Sequence, residues 1–457
     1  MQKAAREIFD SALHAADAGR AMRRTVVLEG SILRVCDTAF DIQSRQVYVV
    51  AIGKAAPTMA VTLREILGDS IATGVISGPP FSGTEALRSG RWRVFSGGHP
   101  LPNQDSLEAA RATFDLLRRA DEEQALVVFL VSGGGSAMME WPRDEKITLS
   151  DLEAANRALI SCGASIAEIN AVRRAFSAVK GGRLADLASR ANQVTLILSD
   201  TNRGDESSVA SGPTLHPPAD DPRARDIINH YGLNSSFPAS ILGVIDDDCT
   251  EPSSGREDPK RYVILDNQVA IEAAASKAQQ LGFTVEVASE INEQPISQGC
   301  EQLISRLLSL RGKVHSGDPV CVISGGEFSC PVRGNGIGGR NSETALRCAI
   351  QFDEFRRRRE FAYQRLIALS SGTDGQDGNS PAAGAVADET TVSRALAHSL
   401  NAEDFLARSD SFTFFEMLGE AVHTGTTGTN VRDLRILIAA GTNFSLLSQI
   451  KATTNLD

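Results

Sequence analysis

The sequence predicts an α/β fold. Nine short runs rich in β-branched and aliphatic residues recur along the chain, and patterns typical of helices separate them. The runs are VYVVAIG, ATGVIS, VVFLVS, VTLILS, YVILD, FTVEVA, VCVIS, LIALSS and RILIAAG, which begin at residues 47, 72, 127, 194, 262, 283, 320, 366 and 435. Strands of parallel sheets are covered by helices on both faces and therefore form continuous apolar runs. We expect parallel sheets between layers of helices.

The nine runs divide between two predicted domains. The chain has 457 residues, which is enough for two or three domains at about 150 residues each. Between residues 235 and 260 the composition shifts toward proline, serine and charged residues, as is common in linkers. We therefore predict an N-terminal domain over 1–240 and a C-terminal α/β domain over 258–457. The charged amino terminus predicts an amphipathic helix and not a signal peptide.

Composition and charge exclude several classes of partner. The formal net charge is −11, whereas a protein that binds a phosphate backbone needs a basic surface. No apolar run in the sequence is long enough to span a bilayer. The cysteines lie apart, without a CxxC pair or metal-ligand spacing, which favours reduced thiols. We expect a cytoplasmic protein that binds neither nucleic acid nor membranes, and homo-oligomerisation stays open.

The run at 127–132 leads into a glycine-rich turn that predicts an anion site. The turn consists of Ser132, Gly133, Gly134, Gly135 and Ser136. Glycines after a strand allow backbone N–H groups to converge on an anion without obstruction by Cβ atoms. Lys54 follows another strand and its glycine, where an ammonium can reach a phosphate. The three glycines favour a phosphate as the bound anion. A substrate carboxylate is the alternative, because Arg173 and Arg183 could pair with it.

Residues 162–185 predict a group of charged side chains beside this turn. We interpret Glu168 to Arg183 as a helix followed by a glycine turn and a second helix. The side chains that this arrangement gathers near the glycine turn are Glu168, Arg173, Lys180 and Arg183. The alternative is an amphipathic helix covered with salt bridges.

Four aspartates in loops after strands are candidate magnesium ligands. They are Asp200, Asp205, Asp374 and Asp377. Carboxylates in such loops can bind Mg²⁺ or accept a proton from a substrate hydroxyl. For the first pair, capping of the following helix is the alternative. The second pair resembles part of a calcium loop that lacks its final glutamate.

The C-terminal half predicts a second anion site. A helix start, where the helix dipole favours anions, is formed by Gly338, Gly339, Arg340 and Asn341. A later glycine-containing loop offers hydroxyl and amide donors from Thr426, Thr427, Thr429 and Asn430. Helix capping is again the alternative.

Known nucleotide signatures are incomplete or misplaced. Gly53 and Lys54 lack the earlier glycine and the following Ser or Thr of a Walker loop. The GNGIGG stretch at 334–339 matches G-x-G-x-x-G but lies about ten residues after its strand, whereas a Rossmann fingerprint follows the strand at once. The glycine turns therefore have to be interpreted from their own chemistry.

The two predicted domains share a pattern of strand ends. Each has a strand that ends in Ser-Gly-Gly and a later strand that ends near Ser and Asp. Convergence is one explanation of this shared pattern, since turns after strands favour Gly, Ser and Asp. An internal repeat is the other explanation. In either case, two glycine-rich sites on two domains suggest a ligand cleft.

Nine stretches, taken in order, carry a resemblance to a known family. They are VVAIGKAA, GGHPLPN, LVSGGGSAMME, CGASIAEINAVRRAFSAVKGGRLA, SDTNRGDESSVASGPT, SGGE, GNGIGGRNSETAL, SSGTDGQDG and HTGTTGTNVRDLRI. In these stretches the chain resembles the class II glycerate 2-kinases, whose C-terminal part is called the MOFRL domain. The resemblance implies a Rossmann-like N-terminal domain, a distinct C-terminal α/β domain and an active site in the cleft between them.

The resemblance also implies a reaction. Members of the family are kinases that transfer the γ-phosphoryl group of ATP to the 2-hydroxyl of D-glycerate, with Mg²⁺, and form 2-phospho-D-glycerate. Carried over by position, the functional lysine is Lys54 and the C-terminal arginine is Arg340. From its place in the loop after a strand, we expect Asp200 to hold Mg²⁺ or to orient the hydroxyl. A hydroxypyruvate reductase and a non-catalytic binding protein for a hydroxy acid or its phosphate are the alternatives.

Overall fold

The structure is a computed structural model, and it has the α/β fold that the sequence predicts. It describes residues 1–81, 87, 90–202, 204–218, 220–246, 259–315, 317–358 and 364–441. The chain forms two compact units. The N-terminal unit is Ala18–Leu265, and the C-terminal unit combines Met1–Asp17 with the chain from Asp266 onward.

Helices and strands alternate through most of the described chain. The helices are α1 (Gln2–Ala15), α2 (Ala18–Thr25), α3 (Ala56–Leu67), α4 (Gln104–Glu122), α5 (Gly135–Met138), α6 (Leu149–Ser161), α7 (Ile166–Phe176), α8 (Arg183–Leu187), α9 (Ala224–His230), α10 (Ala239–Asp246), α11 (Asn267–Gln280), α12 (Ile296–Gly312), α13 (Arg340–Arg357), α14 (Thr391–Ala397), α15 (Ala402–Ala407) and α16 (Ser411–Leu418). The strands are β1 (Val26–Glu29), β2 (Ile32–Val35), β3 (Thr38–Asp41), β4 (Val47–Ile52), β5 (Ile71–Gly78), β6 (Trp92–Ser96), β7 (Leu126–Ser132), β8 (Asn192–Leu198), β9 (Lys260–Leu265), β10 (Thr284–Val287), β11 (Val320–Gly326), β12 (Gln364–Gly372), β13 (Gly384–Asp388), β14 (Ala421–Val422) and β15 (Asp433–Gly441). None of the helices within the described ranges is both long and apolar enough to cross a membrane.

The N-terminal unit is built on a parallel six-stranded sheet. Its strand order is β6-β5-β4-β7-β8-β9, and every pair is parallel. All residues of β4 and β7 are buried, and Tyr48, Val50 and Phe129 share an apolar core with α4. The carboxyl ends of β4, β7 and β8 therefore lie side by side, and the loops that follow them meet at one edge of the sheet. A small antiparallel sheet, β1-β2-β3, was not predicted from the sequence.

The segment from Glu168 to Arg183 forms a helix, a glycine turn and the start of a second helix, as predicted from the sequence. Helix α7 ends at Phe176, and Ser177 takes extended backbone angles. Gly181 and Gly182 then turn the chain with positive φ angles of 64° and 84° before α8 begins. Residues with a Cβ atom rarely adopt such angles, which explains the glycines at these two positions, and Lys180 lies in the turn just before them.

The C-terminal unit contains a mixed sheet and not the expected parallel one. Its order is β10-β11-β15-β12-β13-β14; β10 and β11 are parallel, and the other pairs are antiparallel. Helices α11, α12 and α13 cover its strands, so that all residues of β11 are buried. The prediction was wrong on direction because a strand covered on both faces is apolar throughout whichever way its neighbours run. The topologies of the two units differ, which favours convergence over an internal repeat.

The units divide the chain elsewhere than at the predicted domain boundary. Strand β9 pairs with β8 and completes the sheet of the N-terminal unit, although 258–457 were predicted to form the other domain. Helix α1 packs on α11, β12 and β15 through buried residues such as Ile8 and Phe9. Residues 1–17 therefore group with the C-terminal unit. The acidic part of the predicted linker, 247–258, lies outside the described residues.

Candidate active site

The loops after β4 and β7 interlock at the carboxyl edge of the parallel sheet. The backbone N–H of Lys54 donates to the carbonyl oxygen of Gly133 over 2.9 Å. The N–H of Ala55 donates to Ser132 Oγ over 3.0 Å, and Ser132 itself is buried. These bonds fix the position of Lys54 relative to the glycine turn. The predicted association of Lys54 with this turn is therefore present within the N-terminal unit.

The side chains of Lys54, His99 and Asp200 lie close to the glycine turn. Gly134 has a φ of +78°, and a Cβ atom placed on it would lie 3.1 Å from both Lys54 Cγ and His99 Cδ2. A Cβ atom on Gly133 would overlap the carboxylate of Asp200. The absence of side chains in the turn thus allows an ammonium, an imidazole and a carboxylate to approach its backbone. Such a combination can neutralise an anion and also accept a proton.

A hydrogen-bonded chain of side chains supports the far end of the turn. Ser136 Oγ lies 2.6 Å from Ser211 Oγ, and Ser211 Oγ donates to Asn170 Oδ1 over 2.7 Å. Ala210 and Ser211 have φ angles of 52° and 60°, a strained conformation that surrounding structure must hold. Sequence analysis missed Asn170 and Ser211, because their bonds join segments about 40 residues apart and no local pattern marks them.

Lys180 is the centre of a buried cationic cluster, which we define as Arg173, Lys180, Arg183 and Glu140. Lys180 Nζ donates to Glu140 Oε2, and Ser177 Oγ donates to Glu140 Oε1 over 2.5 Å. Burial lowers the pKa of Lys180, and the opposite charge of Glu140 counters this effect. Burial likewise lowers the pKa of Arg173. The cluster holds three cations and one carboxylate, a composition that attracts an anion.

The two arginines of the cationic cluster are held by different partners. Arg173 Nε donates to Asn156 Oδ1 over 2.8 Å. Arg183 Nη1 donates to the carbonyl oxygens of Arg174 and Lys180 over 2.9 and 3.0 Å. Arg173 is thus oriented by an amide oxygen, and Arg183 by two backbone carbonyl oxygens. Glu140 was not predicted from the sequence although it lies only four residues after Ser136, because an isolated glutamate in a sequence does not indicate burial.

Glu168 does not join this cluster, which corrects the sequence-based expectation. Its Oε2 accepts the backbone N–H of Ser165 over 2.8 Å and the hydroxyl of Tyr231 over 3.0 Å. It thus caps the beginning of α7, and these hydrogen bonds lower its pKa. Arg173 lies near the other end of the same helix. This capping role differs both from the predicted cluster and from the salt-bridged helix that was the alternative.

In the C-terminal unit, Arg340 is the first residue of α13 and lies between two carboxylates. Its Nη2 is 2.7 Å from Glu327 Oε1, and its Nε donates to Asp433 Oδ2 over 2.5 Å. Burial opposes its charge, but Asp433 and Glu327 outweigh that effect and raise the pKa of Arg340. Glu327 follows β11 and Asp433 begins β15, so the end of the mixed sheet orients this guanidinium. Neither carboxylate was singled out from the sequence.

The four predicted magnesium ligands have different surroundings. Asp200 lies against the glycine turn, and Asp205 is exposed at the start of a short 3₁₀ turn. Asp374 is half-buried and accepts the N–H of Gln376 over 3.1 Å. Asp377 is buried and accepts the N–H groups of two residues of α13. Within the described ranges, no three His, Cys, Asp or Glu side chains are grouped so as to hold a metal ion.

Several other predicted anion-binding residues of the C-terminal unit already form hydrogen bonds within the protein. The N–H of Gly338 donates to Asn379 Oδ1 over 2.8 Å, and the N–H of Gly339 donates to Ser342 Oγ over 3.2 Å. Asn341 Oδ1 accepts from Ser370 Oγ over 2.6 Å, and Asn430 Oδ1 accepts the N–H of Arg432 over 3.1 Å. By contrast, Thr429 Oγ1 is buried without a hydrogen-bond partner among the described residues.

Two family models match the chain. The model of a domain of unknown function, DUF4147, matches residues 4–246. The model of the MOFRL family matches residues 320–433. The first covers the sheet of the N-terminal unit as far as β8, and the second covers most of the mixed sheet.

Curated relatives align over nearly the whole chain. A glycerate kinase of Rattus norvegicus is 33% identical over 95% of this chain and 92% of its own length. A D-glycerate 2-kinase of Thermotoga maritima is 32% identical over 88% of this chain and 93% of its own. A protein of Agrobacterium vitis named as a hydroxypyruvate reductase is 35% identical over 85% and 98%.

A solved structure shares the fold. The crystal structure of glycerate kinase from Thermotoga maritima superposes with a TM-score of 0.76 and 30% identity, over 96% of this chain and 99% of that one. The similarity thus extends through both units. The chain belongs to the class II glycerate 2-kinase family, whose C-terminal part is the MOFRL domain.

Proposed function

We propose that this protein is a glycerate 2-kinase, which transfers the γ-phosphoryl group of ATP to the 2-hydroxyl of D-glycerate. Curated relatives named glycerate kinase cover 95% of the chain. The observation that carries the proposal is the convergence of Lys54 and Asp200 on a turn without side chains at Gly133 and Gly134. Phosphoryl transfer needs chiefly positioning and neutralisation of spread negative charge, and these residues supply both.

The transferring phosphoryl group is assigned to the glycine turn and Lys54. The turn offers backbone donors where a multi-oxygen group can approach closely. The Lys54 ammonium adds a point charge that strengthens its interaction as charge spreads over the equatorial oxygens. Arg340, oriented by Glu327 and Asp433, is the corresponding cation of the C-terminal unit. We predict that it contacts the same phosphates.

The substrate carboxylate is assigned to the cationic cluster. The cluster carries an excess of positive charge in a buried setting, where charge interactions are stronger than in water. The planar fork of an arginine matches a carboxylate, and Arg173 is oriented by Asn156. The chain of Asn170, Ser211 and Ser136 connects the helix of Arg173 to the glycine turn. The carboxylate and the phosphoryl group would then be bound from one framework.

Magnesium fits Asp200 better than the other predicted ligands. Mg²⁺ is commonly held by one or two carboxylates together with substrate phosphates, and Asp200 lies beside the predicted phosphate site. Asp377 does not fit, because its two oxygens accept hydrogen bonds at the start of α13. When bound, Mg²⁺ would neutralise charge between the phosphates. The alternative role of Asp200 is to orient the 2-hydroxyl and accept its proton, a modest contribution in a loose transition state.

The test is one comparative assay. The protein is incubated with D-glycerate, ATP and Mg²⁺, and separately with hydroxypyruvate and NADH or NADPH. We expect ADP and 2-phosphoglycerate, distinguished from the 3-phosphate by ³¹P NMR, and no oxidation of the nicotinamide. Reduction of hydroxypyruvate would support the reductase alternative. Tight binding of glycerate without either reaction would support a binding protein, and either result would overturn the proposal.

A further inference from the structure

The start of α13 is clamped by a loop of the same unit. The clamp loop, which we define as residues 374–380, lies against Gly338 and Gly339. A Cβ atom on Gly339 would overlap the carboxylate of Asp377, and one on Gly378 would overlap the carbonyl oxygen of Gly338. The two segments therefore fit only because Gly339 and Gly378 lack Cβ atoms. This close fit leaves Arg340, the next residue, little freedom.

Asp377 forms the hydrogen bonds of the clamp. Its Oδ1 accepts the N–H of Asn341 over 2.9 Å, and its Oδ2 accepts the N–H of Ser342 over 2.8 Å. Ser342 Oγ donates to the same Oδ2 over 2.6 Å. These groups are among the first N–H groups of α13, which have no acceptor within the helix. A carboxylate from another segment thus acts as the N-terminal cap of α13, where the helix dipole also favours it.

The cap acts next to the functional arginine. Arg340 immediately precedes the two residues whose N–H groups Asp377 accepts. The Arg340 side chain is half-buried between Glu327 and Asp433. Asn379 adds a further restraint, because its Oδ1 accepts the N–H of Gly338 over 2.8 Å and its Nδ2 donates to the carbonyl oxygen of Gly336 over 3.2 Å.

We infer that Asp377 is a positioning residue, which acts on catalysis by fixing the backbone from which Arg340 extends. It touches neither substrate nor metal in this role. The kinetic consequence rests on the proposed function, since Arg340 must contact the phosphates for its position to matter. The structural consequence, protection of the first N–H groups of α13, holds whatever the reaction.

The kinetic test is a double-mutant cycle. Asp377→Asn is expected to lower kcat/KM on the order of 10-fold or more, since small misplacements of catalytic groups are costly. In the Arg340→Ala background the same change should have little further effect, because the residue it positions is gone. A fully additive loss of kcat/KM would overturn the inference. Magnesium dependence of the Asp377→Asn variant should match that of the wild type, and a selective shift would indicate a metal ligand.

The structural test uses amide hydrogen exchange and a matched control. Asp353 is a buried carboxylate near the other end of α13, paired with Arg356 and Arg357. We expect Asp377→Asn, but not Asp353→Asn, to accelerate exchange at Asn341 and Ser342, and Asp353→Asn to retain kcat/KM. Unchanged exchange in Asp377→Asn would overturn the clamp. If the wild type lacks kinase activity, the proposed function fails while this exchange result still decides the clamp.

Discussion

Both the backbone and the side chain of Lys54 lie against the glycine turn. Its N–H is bound to Gly133, and its side chain passes Gly134 within van der Waals distance of where a Cβ atom would stand. The sequence predicted both the lysine and the glycines. Their contact depends on β4 and β7 being neighbours in a parallel sheet, and strand pairing was needed to place it.

Replacing Lys54 should impair catalysis without unfolding the protein. We expect Lys54→Ala to lower kcat/KM by about 100-fold or more, about 2.7 kcal/mol at 1.36 kcal/mol per decade, because the lost charge acts mainly in the transition state. Steady-state kinetics with a melting curve measures both quantities. Lys146→Ala, at an exposed lysine of the same unit, is the control. A variant that melts early while its folded fraction stays fully active would assign Lys54 a structural role.

A side chain at Gly134 should block the glycine turn. Gly134→Val must adopt a φ of +78° and approach Lys54 and His99, whereas Gly163→Val meets a similar φ of +83° with nothing within 4 Å. The comparison separates steric exclusion from backbone strain. By isothermal titration we expect Gly134→Val to lose nucleotide affinity and Gly163→Val to keep it. Selective loss of glycerate binding would instead assign the turn to the carboxylate.

Asp377 should make folding stability depend on pH in an identifiable direction. Burial raises the pKa of its carboxyl from 3.8 to about 6. Between these values the folded chain keeps a proton that the unfolded chain has lost, so the contribution of Asp377 to the unfolding free energy falls as pH rises. Above about pH 6 the contribution becomes constant. Urea unfolding of wild type and Asp377→Asn from pH 4 to 7 should show the unfolding free energy of the wild type rising relative to that of the variant toward low pH, and a pH-independent difference would contradict this.

At the scale of elements, the turn between α7 and α8 decides where the cationic cluster forms. A continuous helix would carry Lys180 onward along one axis. The extended backbone at Ser177 and the glycine turn instead bring Lys180 and Ser177 onto Glu140. The proximity of Arg173, Lys180 and Arg183 was predicted from the sequence. The prediction for Glu168 was wrong, because Glu168 lies in the first turn of α7 whereas Arg173 lies in its last turn.

Replacing Lys180 alone should lower the unfolding free energy more than replacing both Lys180 and Glu140. Lys180→Met leaves Glu140 buried without its cation, and we expect a loss of about 3–5 kcal/mol. Changing both residues to methionine should recover most of that loss, since two neutral side chains need no compensation. Denaturant unfolding, with exchange in β7 and β8 as the local reporter, measures the cycle. Additive losses would show that the pair is not energetically coupled.

At the scale of the whole molecule, the chain enters the C-terminal unit twice. Helix α1 packs there first, and the chain returns at Asp266 after completing the N-terminal unit. Gln2 Nε2 donates to Asp388 Oδ2 over 2.8 Å and to Glu420 Oε1 over 3.0 Å, which ties the first helix to β13 and the loop before β14. The predicted cleft between domains remains a prediction.

Weakening α1 should therefore destabilise the C-terminal unit. Phe9 is 1% exposed in α1, and Phe→Ala in a core costs about 3–5 kcal/mol. We expect Phe9→Ala to accelerate amide exchange in α11, β12 and β15, and to leave β4 and β7 unchanged. Leu396→Ala, at a leucine that is 53% exposed in the same unit, serves as the control. Accelerated exchange confined to β4 and β7 would contradict the assignment of α1.

The sequence by itself determined the kinds of element and the positions of the glycine turns, because apolar periodicity and glycine are local properties. All nine predicted runs are strands, the glycine turn at 132–136 lies at the end of β7, and α13 begins within the predicted helix start at 338–341. Tertiary structure alone decided the direction of strands in the mixed sheet, since burial on both faces looks the same for either direction. It also decided that α1 and β9 join units other than those predicted, and that Asp377 caps a helix. Each of these outcomes depends on partners distant in the chain, whose contacts leave no local pattern.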